Sequence, residues 1–314
     1  MNIIELDSKE YDELINPYHK FNSTKFNSLN SFRVEDVKYL IFKDSKVRLG
    51  IIGGISNNTF KSPFSAPFGG FSYKKEPVKL EQIEKALDLL QEWALNNSID
   101  KIQLTLPPQI YNSSFISKLI NTLYRKDFSI NTLDLNYYFK SKNIIDEEFY
   151  ISKILWHNAR KSLKRAFSNN LEFIVANSLD EKKEAYNIIK QNRAEKNYPL
   201  RMSFNDITLT DEVIEKEFFI VKKDNISVAS AIVYFVAKDI VQVVYWGDLQ
   251  EYANFRVMNF LSFNLFKYYR DKGIKYIDIG PSTENSIPNY GLCDFKESIG
   301  CNIEPKYIFT KVLK

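Results

Sequence analysis

Apolar positions along the chain fall into two alternating series of helix and strand. Ile3 to Leu6 predicts a first strand, followed by a short helix through Tyr11 and Leu14. Val37 to Phe42 and Arg48 to Ile55 are apolar and β-branched, and Lys43-Asp44-Ser45-Lys46 separates them, which predicts an antiparallel hairpin. A turn-rich stretch runs on to Phe68-Gly69-Gly70-Phe71. Ile83, Leu87, Leu90 and Ala94 keep helical spacing and predict a helix from Leu80 to Leu95. Lys101 to Leu106 reads as a strand stopped by Pro107-Pro108, Phe115 to Tyr124 as a helix and Leu133 to Phe139 as a strand.

The second series begins near Asp146. Ile151 to Phe167 predicts one amphipathic helix, with Ile151, Leu155, Leu163 and Phe167 on its apolar side. A strand from Leu171 to Ala176 and a helix from Leu179 to Lys196, ended by Pro199, follow. Phe218 to Lys222, Val228 to Val236 and Ile240 to Trp246 predict an antiparallel meander. Phe255 to Tyr269 is a long apolar helix with Gly273 as its stop, and Tyr276 to Ile279 is a strand. A helix near Phe295 and a strand from Tyr307 to Val312 complete the series. Hairpin, helix, strand, helix, strand in each half predicts an α/β fold with a mixed sheet and helices on both faces. Ile99-Asp100-Lys101-Ile102-Gln103-Leu104 before Pro107 matches Ile274-Lys275-Tyr276-Ile277-Asp278-Ile279 before Pro281, at nearly the same offset from Gly69-Gly70 and Gly247. The repeat points to a duplicated unit.

Composition narrows the picture. The 314 residues suffice for two domains, and a 44% hydrophobic, 26% charged chain is of ordinary globular composition. Two cysteines, Cys293 and Cys301, and two histidines give neither a disulfide framework nor a metal site. The first residues have no basic and apolar leader pattern, and no apolar run approaches the about 18 residues of a membrane span, so the sequence reads as cytoplasmic. An Asn-, Ile- and Lys-rich, Ala- and Gly-poor composition suggests an AT-rich bacterial genome. The net charge of +4 suits an anionic substrate but does not indicate DNA binding, and the aromatics read as core. There is no Walker loop, no G-x-G-x-x-G and no G-x-S-x-G.

Four segments carry a resemblance. Gly273-Ile274-Lys275-Tyr276-Ile277-Asp278-Ile279-Gly280, then Phe295-Lys296-Glu297-Ser298-Ile299-Gly300, resembles the end of FemAB-like proteins of the GNAT acyltransferase superfamily. Arg160-Lys161-Ser162-Leu163-Lys164-Arg165-Ala166 is similar to the helix opening their second domain, and Ala66-Pro67-Phe68-Gly69-Gly70 to a segment of their first. The resemblance implies two tandem GNAT-like domains, residues 1–145 walling an acceptor cleft without a complete donor site and residues 146–314 carrying catalysis. It implies transfer of an acyl group from acyl-CoA (acetyl-CoA), with no metal, to an amine on a small-molecule or sugar-nucleotide acceptor, as in surface-glycan synthesis. The alternatives are an aminoacyl-tRNA donor acting on a peptidoglycan precursor, or a degenerate GNAT pair that binds without turnover. No long capless helix is present to supply the tRNA-contacting hairpin of cell-wall members.

Within that framework Lys296 is the cation for the tetrahedral oxyanion, Asp278 takes the amine proton, and Tyr290 protonates the leaving group. Gln250, Ala253 and Asn254 lie where the donor diphosphate meets a helix N-terminus, although Ala253 and Phe255 replace the small residues of the usual loop. Arg160, Lys161 and Lys164, with Lys153 and His157 at the same three-and-four spacing, form a basic face for an acceptor phosphate; the ordinary alternative is a solvated charged face.

Overall fold

The computed structural model describes residues 1–313; Lys314, the last residue of the expected second domain, lies outside it. The chain divides into two compact units. Unit 1 holds Met1–Leu135, Asn285–Ile287 and the chain from Glu304 onward; unit 2 holds Asn136–Glu284 and Pro288–Ile303.

Unit 1 is built from β1 (Asn2–Leu6), α1 (Ser8–Leu14), α2 (Thr24–Leu29), β2 (Asp36–Lys43), β3 (Val47–Ser56), β4 (Thr59–Ser62), β5 (Phe71–Tyr73), α3 (Leu80–Asn96), β6 (Lys101–Thr105), α4 (Ser113–Arg125) and the start of β7 (Ser129–Lys140). Its strands follow the order β1-β2-β3-β4-β6, with β5 also on β3. The β2–β3 hairpin forms as the two apolar, β-branched runs and their polar turn predict. β4 and β5 were hidden in a Pro- and Gly-rich stretch that reads as turn, yet β4 pairs in parallel with β6, from Thr59 opposite Lys101 to Ser62 opposite Leu104. The α3 stripe Ile83, Ala86, Leu87, Leu90 and Ala94 is fully buried with Leu40, Phe42, Leu49 and Phe60. Each Ile, Leu or Phe side chain among them contributes about 1.5–3 kcal/mol by leaving water.

Unit 2 continues through α5 (Glu147–Phe149), α6 (His157–Phe167), β8 (Leu171–Ala176), α7 (Leu179–Glu195), α8 (Phe204–Leu209), β9 (Lys216–Lys223), β10 (Ile226–Ala237), β11 (Ile240–Asp248), α9 (Val257–Asp271), β12 (Tyr276–Pro281), the short ribbon strands β13 (Thr283–Glu284) and β14 (Ile287–Pro288), and α10 (Tyr290–Ser298). The last strand, β15 (Asn302–Val312), starts here but pairs antiparallel with β6 of unit 1 from Ile308 onward. The unit 2 sheet runs β7-β12-β11-β10-β9-β8, with Asn136 to Lys140 of β7 antiparallel to β12. Phe139 stacks on Phe266 at 4.0 Å between ring centroids, fixing α9 against the sheet.

The helix expected from Ile151 to Phe167 is interrupted. A π-helical turn spans Tyr150–Ile154, Leu155 is extended (φ −71°, ψ 141°), and helix resumes at His157. Tertiary contacts outweigh the local pattern here. The Leu155 side chain is buried, the Trp156 N–H donates to the Ser298 carbonyl (3.0 Å), and the Tyr150 hydroxyl donates to the Ile299 carbonyl (2.9 Å). Gly300 completes the junction. Its φ is +89°, and a Cβ there would lie 2.2 Å from Ile154 Cγ2, so only glycine lets the segments close.

Candidate functional site

β11 and β12 are the one parallel pair in unit 2 among the described residues, and their pairing is short. It runs Ile240–Tyr276, Val241–Ile277, Gln242–Asp278 and stops, although β11 continues to Asp248. On its other side β11 stays paired with β10, with a bulge that leaves Val244 unmatched between Val243 and Tyr245. Past Gln242 the β12-facing edge of β11 therefore carries backbone groups free of sheet pairing.

Asp278 sits at the point of divergence and is fully buried. Oδ1 accepts from Asn136 Nδ2 and from the Gly280 N–H, and Oδ2 accepts from Gln242 Nε2, each at 2.9 Å. The Gly280 bond folds the chain back at φ +71°, a conformation that favours glycine. Register against β7 shifts between Asp278 and Gly280.

That fold-back turns three successive carbonyls, those of Ile279, Gly280 and Pro281, onto Lys296 Nζ at 3.1, 2.9 and 3.1 Å. Lys296 projects from α10, is 2% exposed, and lies 5.2 Å from the Tyr137 ring centroid. Burial is the largest influence on its ammonium and pulls it down to about 8, against the Cys301, Asp278 and Cys293 side chains. All three ammonium protons are engaged, so the lysine fastens the Ile279–Pro281 segment as well as placing a charge there.

Arg193, in the last turn of α7, also acts on the Lys296 charge. Its guanidinium lies 5.5 Å from the Tyr245 ring centroid and 5.8 Å from that of Tyr198. Its Nε is buried without a hydrogen-bond partner, and no carboxylate pairs with it among the described residues. The adjacent Asn192 explains how it is aimed. Asn192 Nδ2 donates to the Asp248 carbonyl at 2.6 Å, and its amide occupies the space a Cβ on Gly247 would need, 2.5 Å away. Gly247 thus lets the end of α7 lock onto the diverging end of β11. Gln242 Oε1 is likewise buried and unpartnered. Such buried polar atoms cost free energy until something meets them.

The remaining expected residues lie elsewhere. Tyr290 opens α10 and is 75% exposed, six positions before Lys296 and so on a different side of the helix. Gln250, Ala253 and Asn254 form a 3-10 turn, Gln250–Phe255, ahead of α9. The Gln250 N–H donates to Glu195 Oε2 (3.0 Å), so a carboxylate stands where a diphosphate was expected, while Ala253 and Asn254 are exposed. Lys161 and Lys164 are exposed on α6, and Lys153 is carried on the separate π-helical turn. Arg160 is half-buried, with Nε donating to the Leu155 carbonyl (2.9 Å) at the helix break. Arg193, Tyr245, Gln242 and Asn136 were not singled out from sequence. No motif marks them, and Arg193 is one of 43 basic residues.

No protein-family model matches the sequence, and no curated protein matches it. Solved structures do. FemX matches with a TM-score of 0.70 at 12% identity, over 99% of this chain and 97% of that one. L-PGS from Bacillus licheniformis gives 0.59 at 11% identity over 97% and 92%. A tandem GNAT protein from the clavulanic acid biosynthesis pathway gives 0.56 at 8% identity over 100% and 98%. Identities this low carry the fold alone: over nearly the whole of each chain, this chain of two α/β units has a fold like that of FemX and of the tandem GNAT protein.

Proposed function

We propose that unit 2 is an acyl-transfer centre that acylates an amine on an anionic acceptor. The observation that carries this reading is the loss of β11–β12 pairing beyond Gln242 and Asp278, beside the Lys296 and Arg193 charges. An unpaired strand edge offers N–H groups to an acyl carbonyl, and fixed positive charge nearby favours the oxyanion that forms when the amine nitrogen attacks. Collapse of that intermediate forms the amide, breaks the bond to the donor's leaving group, and passes the amine proton to that group directly or through water. Asp278, already holding three N–H donors, acts in this reading by fixing Asn136, Gln242 and the Gly280 turn. Lys296 acts through the segment it fastens and through its charge. Arg193, stacked by two tyrosines and lacking an acid, is the seat for the acceptor's phosphate or carboxylate. Tyr290 and the basic face of Arg160, Lys161 and Lys164 serve at the periphery.

Acyl-CoA is the first donor in this reading, and residues 1–145 hold no complete donor site. Glu195 at the Gln250 N–H specifically favours the second reading, an aminoacyl-tRNA donor, because an aminoacyl ester brings no diphosphate to that turn. The test is mass-spectrometric detection of the amide after incubating the full chain with acetyl-CoA or with charged tRNA, and with amine acceptors that differ only in a phosphate. Product should require the anionic acceptor, and Arg193→Gln should raise its KM by roughly tenfold or more while largely sparing kcat. If neither donor yields product but the anionic amine still stabilises the chain on heating, the non-catalytic alternative stands instead.

A further inference from the structure

We propose that unit 1 carries a separate binding site for a small phosphorylated molecule, in a cavity between the β2–β3 turn and the segment leading into α3. The cavity is an open-sided cleft of about 400 Å³, lined by Leu14, Val47, Pro77 and Val78 on its apolar side. Its polar lining is Lys46, Arg48, Lys74, Lys75 and Gln82, so four of the five polar residues are cationic and none is acidic.

Neighbouring carboxylates leave most of this charge uncancelled. Glu76, outside the lining, accepts from the neutral Asn112 amide and keeps its charge, and Glu81 pairs with Lys85 at 2.6 Å. Lys46 and Lys75 have no ion-pair partner among the described residues. Lys74 Nζ donates to the neutral Glu13 carbonyl (3.0 Å) and keeps its full charge. Among the described residues Asp44 is the one acid that pairs with the set. It takes Arg48 Nε on both oxygens at 3.0 Å and the Lys46 N–H at 2.9 Å. That contact rigidifies the turn and leaves the two terminal nitrogens of Arg48 uncommitted. Four cations, two of them at the hairpin, stand against Asp44 and Glu76 and leave a net positive field for a multiply charged anion.

Shape narrows the ligand class. A volume near 400 Å³ is that of a small-molecule site, too small for a polymer groove. Bare phosphate would leave the apolar wall of Leu14, Val47, Pro77 and Val78 unused. A diphosphate or phosphate ester bearing a compact organic group uses both sides. The lining includes no carboxylate, histidine or cysteine to move a proton, so the site binds and does not turn over. It stands apart from the acyl-transfer reading, because none of these residues belongs to unit 2.

The experiment is isothermal titration of the full-length chain with inorganic pyrophosphate and with ADP, for the wild type and for Lys46→Glu/Lys75→Glu. Both substituted side chains are exposed, and circular dichroism checks that the variant is folded. Saturable binding below about 1 mM at low salt, weakened by added salt and at least roughly tenfold by the double substitution, is the expected result. Tighter binding of ADP identifies an organic phosphate as the ligand source, and equal affinity identifies free diphosphate. Failure of both anions to saturate the wild type, or equal affinity in the charge-reversed variant, overturns the proposal. Neither outcome touches the amide-forming assay above.

Discussion

Lowering the pH from 7 to 5 should cost the folded chain about 2 kcal/mol through His19 alone. His19 is 2% exposed, and neither ring nitrogen has a hydrogen-bond partner. Its neighbours are rings: Tyr18 at 4.7 Å, Phe68 at 5.0 Å, Tyr111 at 6.1 Å and Phe21 at 6.3 Å between centroids. Burial pushes the imidazole from its ordinary 6.5 down to about 3. The folded state thus favours the neutral ring, and the unfolded chain binds the extra proton. Stability contributed by the neutral form is complete above about 6.5 and is lost as pH falls toward about 3. At pH 5 the unfolded imidazole is protonated about thirtyfold in excess while the folded one stays neutral, which gives the figure above. Urea unfolding at pH 7, 6 and 5, read by Trp93 in unit 1 after Trp156→Phe and Trp246→Phe, would measure it. Carboxylates also respond to pH, so the informative quantity is the difference between wild type and His19→Phe, with His157→Gln as the control for the other histidine. If the wild type and His19→Phe lose stability in parallel between pH 7 and 5, the neutral, unpartnered imidazole is not the cause.

Two further substitutions probe unit 2. Lys296→Ala should destabilise the chain by about 2 kcal/mol or more, because three carbonyls, that of Ile279 buried and two part-buried, lose their donor at once. Loss of activity with unchanged urea stability would refute that account. In the wild type, if the ammonium charge matters to turnover, kcat/KM should fall as pH rises through about 8, since that is where the charge is lost; a profile flat to pH 9.5 would argue against it. Gly247→Ala should cost about 1–3 kcal/mol, because a Cβ there displaces an Asn192 amide already bound to Asp248. Retention of wild-type thermal stability by that variant would mean the α7–β11 lock is loose.

The elements that were legible in the sequence are those fixed by their own periodicity. The stripe of α3 and the apolar, β-branched runs of β2 and β3 about a polar turn need no information from elsewhere in the chain. The break at Leu155 was illegible because its cause is 140 or more residues away in Ser298 and Ile299, while the local run of Ile, Leu and Lys reads as unbroken helix. β4 was illegible because four residues beside Pro63 are too short to show a period. In the site, Asp278 and Lys296 could be found because a motif spaces them. Their mutual arrangement, with one side chain folding the backbone and the other gathering the carbonyls so exposed, follows from φ at Gly280 and is written in no spacing. Arg193 has no local signature at all, since its meaning lies in having no paired acid among the described residues.

The final strand has a consequence for how the chain is made. β6 of unit 1 takes Ile308 to Val312 as its antiparallel neighbour. During synthesis, the sheet edge at Lys101–Thr105 must therefore wait through some two hundred intervening residues before its partner leaves the ribosome. Unit 2 can assemble most of its sheet while unit 1 still presents an open strand, a surface that recruits other chains. The half that is made first is thus the half whose sheet edge is covered last.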